Sequence, residues 1–255
     1  MTDRAQARPR RIVVVGATSA IAEHCCRLWV REAPTELILV ARDLARAGRI
    51  AADLRTRGPG STVSVMKGDF HDPLAIDALV RSIADYGPID MALIAQGWLA
   101  DQQTCQADLA VCRDSIAINA LSPVLFAEAV AWHFARVGRG TLGILGSVAG
   151  DRGRKANYTY GAAKGFLARY AQGLDHRFAG TDVRIVLIKP GPTDSPMTAA
   201  RKAAGRYVAP VDAVARTIVS RLDSGSSRRH LPRWWALVAL LVRWLPWPMY
   251  RRMKN

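Results

Sequence analysis

Apolar residues recur along this chain in two rhythms: short β-branched runs, and longer stretches in which apolar positions fall three or four apart. "RIVVVGATSA" (11–20) is a run of the first kind, a buried strand ending in Gly and Thr. "AIAEHCCRLWVRE" (20–32) has helical spacing. "ELILVARD" (36–43) is a second strand, and "LARAGRIAADLRTRG" (44–58) an amphipathic helix ended by Gly58. "STVSVMKGD" (61–69) is a third strand, with a helix after it to about Tyr86. "IDMALIAQG" (89–97) is the fourth strand, and a long helical stretch covers roughly 105–137. "GTLGILGSVAG" (140–150) is the fifth strand, a helix spans about 158–179, and "DVRIVLIKPG" (182–191) is the sixth strand. Buried strands alternating with helices mean a parallel sheet with helices on both faces, an α/β fold.

Composition narrows this only slightly. A length of 255 residues suits one large domain, and half of them are hydrophobic, which excludes general disorder. The net charge of +15 favours an anionic partner: nucleic acid, a phosphorylated ligand or an anionic membrane. The four cysteines (Cys25, Cys26, Cys105 and Cys112) show no metal-ligand spacing and read as reduced, mostly buried thiols. "MTDRAQARPRR" has no apolar stretch, an expectation of a cytoplasmic protein.

Candidate chemistry begins where the first strand opens onto "GATSAIA" (16–22) as a helix starts. Such a turn aims backbone N–H groups and a positive helix end at a phosphate, and its small residues let a ligand approach the main chain. Only Gly16 is a glycine, and Ala20 and Ala22 stand where dinucleotide folds often use Gly, so an ordinary strand–helix turn is the competing reading. The second strand ends in Val40–Ala41–Arg42, without the acidic residue that binds a ribose 2′-hydroxyl. Arg42 could grip a 2′-phosphate, which favours NADP(H); Asp43 beside it keeps NAD(H) open.

Over about residues 11–222 the chain resembles the short-chain dehydrogenase/reductase superfamily. The superfamily's Tyr followed four residues later by Lys matches Tyr160 and Lys164, and its Ser thirteen residues before the Tyr matches Ser147 in "LGSVAG". Its Asn on the preceding long helix matches Asn119 in "AINALSP", and its Pro-Gly after strand six matches Pro190–Gly191. The resemblance implies a Rossmann-type doubly wound parallel sheet in a single domain. The expected division is a polar arm (1–10), a catalytic domain (11–223) and a basic, Trp-rich segment (224–255), expected to be amphipathic and membrane-associating.

Tyr160 and Lys164 at i and i+4 share a helix face, and a free phenol with a pKa of about 10 is a sluggish acid at pH 7. The Lys164 cation, aided by an oxidised nicotinamide, is expected to lower that pKa. Tyr160 would then protonate a carbonyl oxygen as hydride arrives, and Ser147 would hydrogen-bond that oxygen. By family resemblance Lys164 would also hold the nicotinamide ribose, and Asn119 would bind a relay water. Tyr158 reads as packing or a substrate contact.

The same resemblance implies cofactor contacts from Gly16, Thr18, Ser19, Ala20 and Ile21 at the first turn, and from Arg42 after strand two. Asp69 and Phe70 follow strand three, with Asp69 at the adenine. "IAQG" (94–97) replaces the family's Asn-Asn-Ala-Gly, so its Asn contacts are lost while Gly97 remains, with Ala95 and Gln96 as the other expected contacts. Pro190, Gly191, Thr193 and Ser195 follow strand six, Ser195 in the usual Thr place and Thr193 in an apolar place.

Within the superfamily, "GATSAIA", "AQGWLAD", "GDRGRKANYTYGAAK" and the basic C-terminus look like the decaprenylphosphoryl-2-keto-erythro-pentose reductase branch. That branch reduces a keto sugar on a polyprenyl phosphate, normally after an FAD-dependent oxidase has made the ketone. "RRHLPRWWALVALLVRWLPWPMYRRMK" (228–254) fits such a substrate: Trp234 to Val242 is uncharged and flanked by arginines, too short to span a bilayer but suited to lying in the headgroup plane. The alternative for this segment is a helix packed on the core or on another subunit. The cations of "GDRGRK" (150–155) could meet a substrate phosphate. The resulting expectation is a reductase at the inner membrane face, as a homodimer or homotetramer. The alternatives are a reductase of another lipidic ketone, 3-ketoacyl or 3-ketosphinganine, and a non-catalytic nucleotide-binding scaffold. No nucleic-acid motif is visible.

Overall fold

A computed structural model describes residues 8–224 and the backbone of 230–231. The strands are β1 (Arg10–Val15), β2 (Thr35–Ala41), β3 (Thr62–Lys67), β4 (Met91–Ile94), β5 (Arg139–Leu145), β6 (Asp182–Pro190) and β7 (His230–Leu231). They form one sheet in the order β3-β2-β1-β4-β5-β6-β7, parallel at every pairing. Connecting them are α1 (Ala20–Glu32), α2 (Leu44–Arg57), α3 (Pro73–Asp85), α4 (Gln102–Ala107), α5 (Leu109–Ile116), α6 (Ser122–Val137), α7 (Tyr158–Arg177), α8 (Ala199–Ala203) and α9 (Val211–Ser224).

The period-two geometry of a strand divides the core. Along β1, Ile12 and Val14 face one side and Val13 and Val15 the other; along β4, Met91 and Leu93 oppose Ala92 and Ile94. The first side packs on Trp29 and Cys25 of α1, Leu54 of α2, and Ile218 and Leu222 of α9. The second packs on Ile83 of α3, Phe126, Val130 and Phe134 of α6, and Leu167 and Leu174 of α7. Burial on both faces is why the strands read as continuous apolar runs. Cys25, Cys26 and Cys105 are buried free thiols and Cys112 is half-buried.

The chain leaves β1 toward β2 and β3, then crosses back to β4 on the other side of β1. This reversal opens a crevice beyond the carboxyl ends of β1 and β4, where doubly wound sheets bind ligands. Gly16 follows β1 there, and Ala95, Gln96 and Gly97 follow β4.

The elements depart from the sequence reading in four places. The helical stretch expected over 105–137 is broken into α4, α5, a π turn (Ala117–Leu121) and α6. The apolar run after β5 leaves the sheet at Leu145 and turns into a 3₁₀ turn, Val148–Asp151. The Arg10 end of the expected polar arm is already in β1, and Arg8 bonds Asp90 at 2.7 Å. Helix α9 closes one face with Val214, Ala215, Ile218 and Leu222, and β7 adds a seventh strand through pairs with Lys189 and Pro190. The rest of the basic, Trp-rich segment lies outside the described residues. One described stretch, Leu109–Val137, is long and apolar enough to cross a membrane, and more than half of its most apolar window is buried within the fold.

Candidate active site

The Tyr160–Lys164 pair sits in the first two turns of α7, and packing brings Ser147 to it. Gly146 bonds Ile188 across β6 at 2.7 Å and delivers Ser147 to the start of the 3₁₀ turn, where its hydroxyl accepts from the Ala149 N–H at 3.1 Å. Helix α7 lands directly on that turn. A Cβ on Gly161 would lie 2.8 Å from the Ala149 carbonyl, and one on Gly150 would lie 2.6 Å from the Lys164 backbone, so side chains there would hold the two elements apart. The approach lets the Ser147 hydroxyl hydrogen-bond the Tyr160 phenol.

The electrostatics differ from the expectation. Burial pushes the Tyr160 phenol above its ordinary value, and the Ser147 hydrogen bond only partly offsets this. Lys164 is 3% exposed, lies 5.9 Å from the Tyr160 ring centroid and donates to the Leu145 carbonyl at 3.0 Å. Burial pushes its own pKa down to about 8. The expected lowering included an oxidised nicotinamide; among the chain's own groups, burial is the largest influence on the phenol. Tyr160 is instead held firmly as a neutral proton donor near pH 7.

Asn119 is fully buried in the π turn. Its Oδ1 accepts from the Trp98 N–H at 3.0 Å, and its Nδ2 donates to the Trp98 carbonyl at 2.6 Å and the Ser115 carbonyl at 2.8 Å. The amide thus clamps the segment after Gly97, where a Cβ would lie 3.2 Å from Asn119 Oδ1 and 3.6 Å from Lys164 Nζ. Trp98, 41% exposed, borders this clamp and was not singled out by any spacing in the sequence. Tyr158 is exposed, and its hydroxyl accepts from Gln106 at 3.2 Å.

The crevice fits a dinucleotide. Gly16 has φ +76°, and a Cβ there would meet the Gln96 backbone at 2.5 Å. Ser19 caps α1 without a side-chain bond, so the half-exposed Thr18, Ser19, Ala20 and Ile21 present main-chain groups at a positive helix end. Arg42 is exposed, 5.8 Å from the Phe70 ring centroid. Asp43 caps α2 by accepting from the Arg46 N–H at 2.9 Å, so the acid that kept NAD(H) open is already engaged. Asp69 is exposed, and its Oδ1 accepts from the Asp72 and His71 N–H groups, which hold the carboxyl below its usual range.

Five of the expected contacts are engaged within the fold. The Phe70 ring is buried, 5.3 Å from Phe126, so its side chain packs the core. The Thr193 hydroxyl is buried and donates to the Gly191 carbonyl at 3.0 Å, bracing the turn that follows Pro190. Ser195 Oγ lies 3.4 Å from Thr198 Oγ1. Ala95 is buried, with its N–H on the Val15 carbonyl at 2.8 Å. Gln96 donates to Ser122 at 3.4 Å, while its buried Oε1 has no partner among the described residues.

The loops after β5 and β6 share one rim, because their parallel strands pair up to Leu145 and Ile188. Asp151 bonds Lys189 across it. On this rim, burial and then the Arg206 and Arg154 cations push the Arg201 pKa down. The rim acids Asp151 and Asp194 are taken by Lys189 and Lys202.

The sequence profile described as short chain dehydrogenase matches residues 10–205. An uncharacterized oxidoreductase of Mycobacterium tuberculosis is 34% identical over 245 residues, 95% of this chain and 96% of the relative. One from Streptomyces coelicolor is 30% identical over 256 residues, 99% of each. A short-chain dehydrogenase from Sphingobium yanoikuyae, solved in complex with NADPH, superposes with a TM-score of 0.78 at 22% identity, covering 96% of both chains. With its serine, tyrosine and lysine gathered beside a dinucleotide crevice, this chain belongs to the short-chain dehydrogenase family and is an NAD(P)-dependent oxidoreductase.

Proposed function

We propose that this enzyme reduces a ketone with NADP(H), and that the ketone is carried on an anionic lipid, most specifically a keto sugar linked to a polyprenyl phosphate. The observation that carries the reductase reading is the buried Ser147–Tyr160–Lys164 cluster, in which the phenol stays protonated near neutral pH. Hydride chemistry is what a bound nicotinamide supplies. Tyr160 gives its proton to the carbonyl oxygen, and the Ser147 hydroxyl donates to the same oxygen as negative charge develops there. Lys164 holds the ribose, and Asn119 keeps the segment at Gly97 in place beside it.

Arg42 supports NADP(H): it is an exposed cation after β2, with the neighbouring Asp43 committed to a helix cap. The anionic substrate is supported by the shared rim of Arg154, Arg201 and Arg206, whose nearby acids are already paired. The basic, Trp-rich segment after Ser224 supports work at the cytoplasmic membrane face, with an FAD-dependent oxidase supplying the ketone and the enzyme acting as a homodimer or homotetramer. NADPH consumption with a polyprenyl-phosphate-linked keto sugar, against the same ketone on an uncharged lipid in the same detergent, tests the reading. A preference of roughly tenfold or more in kcat/KM for the phosphorylated carrier is expected. Equal rates on both would reject the anionic carrier, and no NADPH consumption with any ketone would reject the reductase.

A further inference from the structure

Helix α7 must hold Tyr160 still in its first turn, yet its own N-cap, Asn157, makes no side-chain capping bond. First-turn N–H groups have no partner within a helix, and a buried one left unpaired is costly. Here the partner comes from another helix. The Thr159 N–H donates to Gln102 Oε1 at 3.0 Å, and Gln102 Nε2 donates to Thr159 Oγ1 at 3.0 Å. Gln102 is 7% exposed and Thr159 6%. The Cys105 thiol, on the same face of α4, also meets the Thr159 hydroxyl.

We infer that Gln102 is a positioning residue for Tyr160: its buried amide caps α7 in trans and fixes the turn from which the phenol projects. An amide suits the task because one end accepts and the other donates, matching the N–H and hydroxyl of a single threonine. An apolar side chain would leave the Thr159 N–H buried without a partner and the hydroxyl with only the weak Cys105 thiol. The latch has its own anchor. Asp101 caps α4 by accepting from the Thr104 N–H at 2.9 Å, and Trp98, just before it, is clamped by Asn119. A continuous path therefore runs from Asn119 through Trp98 and α4 to Thr159, the residue before Tyr160. A second glutamine, Gln106, reaches Tyr158 at the exposed end of the same face.

The inference rests on Tyr160 as proton donor, but its test needs no substrate. The phenol carbon of Tyr160 is followed by NMR in protein labelled at tyrosine, assigned by its absence from Tyr160→Phe. Around the phenol stand Ser147 from the turn after β5 and Lys164 from α7. In the unaltered protein burial holds the Tyr160 phenol above its ordinary pKa. In Gln102→Leu, and in the milder Thr159→Val, the turn loosens, water reaches the phenol and it ionises at a lower pH than in the unaltered protein. Thr159→Ser keeps the N–H and the hydroxyl and is expected to restore the unaltered behaviour. Gln106→Leu, which cuts only the exposed bond, is expected to leave Tyr160 unchanged. Tyr160 ionising identically in all variants, or shifting as far in Gln106→Leu as in Thr159→Val, overturns the assignment.

Discussion

The two ends of the cleft are built on opposite principles. Beyond β1 and β2 the chain offers main-chain groups and exposed charges: the open N-terminus of α1, the Arg42 guanidinium and the Asp69 carboxylate. Beyond β5 the functional groups are buried: Lys164 is 3% exposed and Asn119 fully enclosed. The first arrangement costs the fold little, since exposed charges keep their hydration. The second is expensive, because a buried ammonium loses its water and its pKa falls. The difference teaches where specificity and where chemistry can be altered. Cofactor choice should change without disturbing the fold, whereas changes at the catalytic end should alter rate and stability together.

The largest effect is expected at the buried end. Tyr160→Phe keeps the ring and its packing but removes the proton donor, so turnover should fall by roughly a thousandfold while NADPH affinity stays within a few-fold. Steady-state rates beside a cofactor titration measure both, and a rate within about tenfold of the unaltered enzyme would contradict the acid role.

Next comes the exposed end. Arg42→Ala should weaken NADPH by roughly 10–100-fold and leave NADH nearly unchanged, with the same melting temperature. Equal loss of both cofactors in paired titrations would mean that Arg42 does not read the 2′-phosphate.

A smaller effect concerns stability and sharpens the comparison directly. Lys164→Met should abolish activity yet stabilise the cofactor-free protein at pH 7 by on the order of 2 kcal/mol, since it removes a buried charge at the cost of the bond to Leu145. The sign follows from proton binding. Folded Lys164 releases its proton near pH 8, and the unfolded chain releases it only near 10.5. Between those values the unfolded state holds more protons, so the unaltered protein gains stability as pH rises. The advantage of methionine should be full below pH 8 and gone by about 10.5. Urea melts at pH 7 and 10 read this, and a constant difference would show that Lys164 is not held by desolvation.

The smallest effect is expected at the basic rim. Arg201→Gln should raise KM for a phosphate-bearing lipid ketone by roughly three- to tenfold, with kcat and the response to an uncharged ketone unchanged. Equal effects on both ketones, measured by NADPH consumption, would remove the rim from substrate recognition.

The sequence by itself determined six strands, their parallel arrangement and the Tyr160–Lys164 pair. These are local matters: buried strands show as β-branched runs, and an i, i+4 pair shares a helix face whatever surrounds it. The family resemblance placed Asn119 on the long helix and Ser147 at the end of strand five. What the sequence could not encode locally was decided by packing. The π turn that encloses Asn119 lies within an uninterrupted helical pattern, because widening one turn leaves the apolar rhythm almost intact. Whether Asp43 would face a ribose or cap α2 depended on the geometry of one helix start. The union of Arg154 with Arg201 and Arg206 joins loops from different strands. So does the grip of Gln102 on Thr159, 57 residues apart. The direction of the Tyr160 shift was decided only in three dimensions as well. Spacing reports that a cation is near, but desolvation depends on every atom that excludes water, and here burial is the largest influence on the phenol.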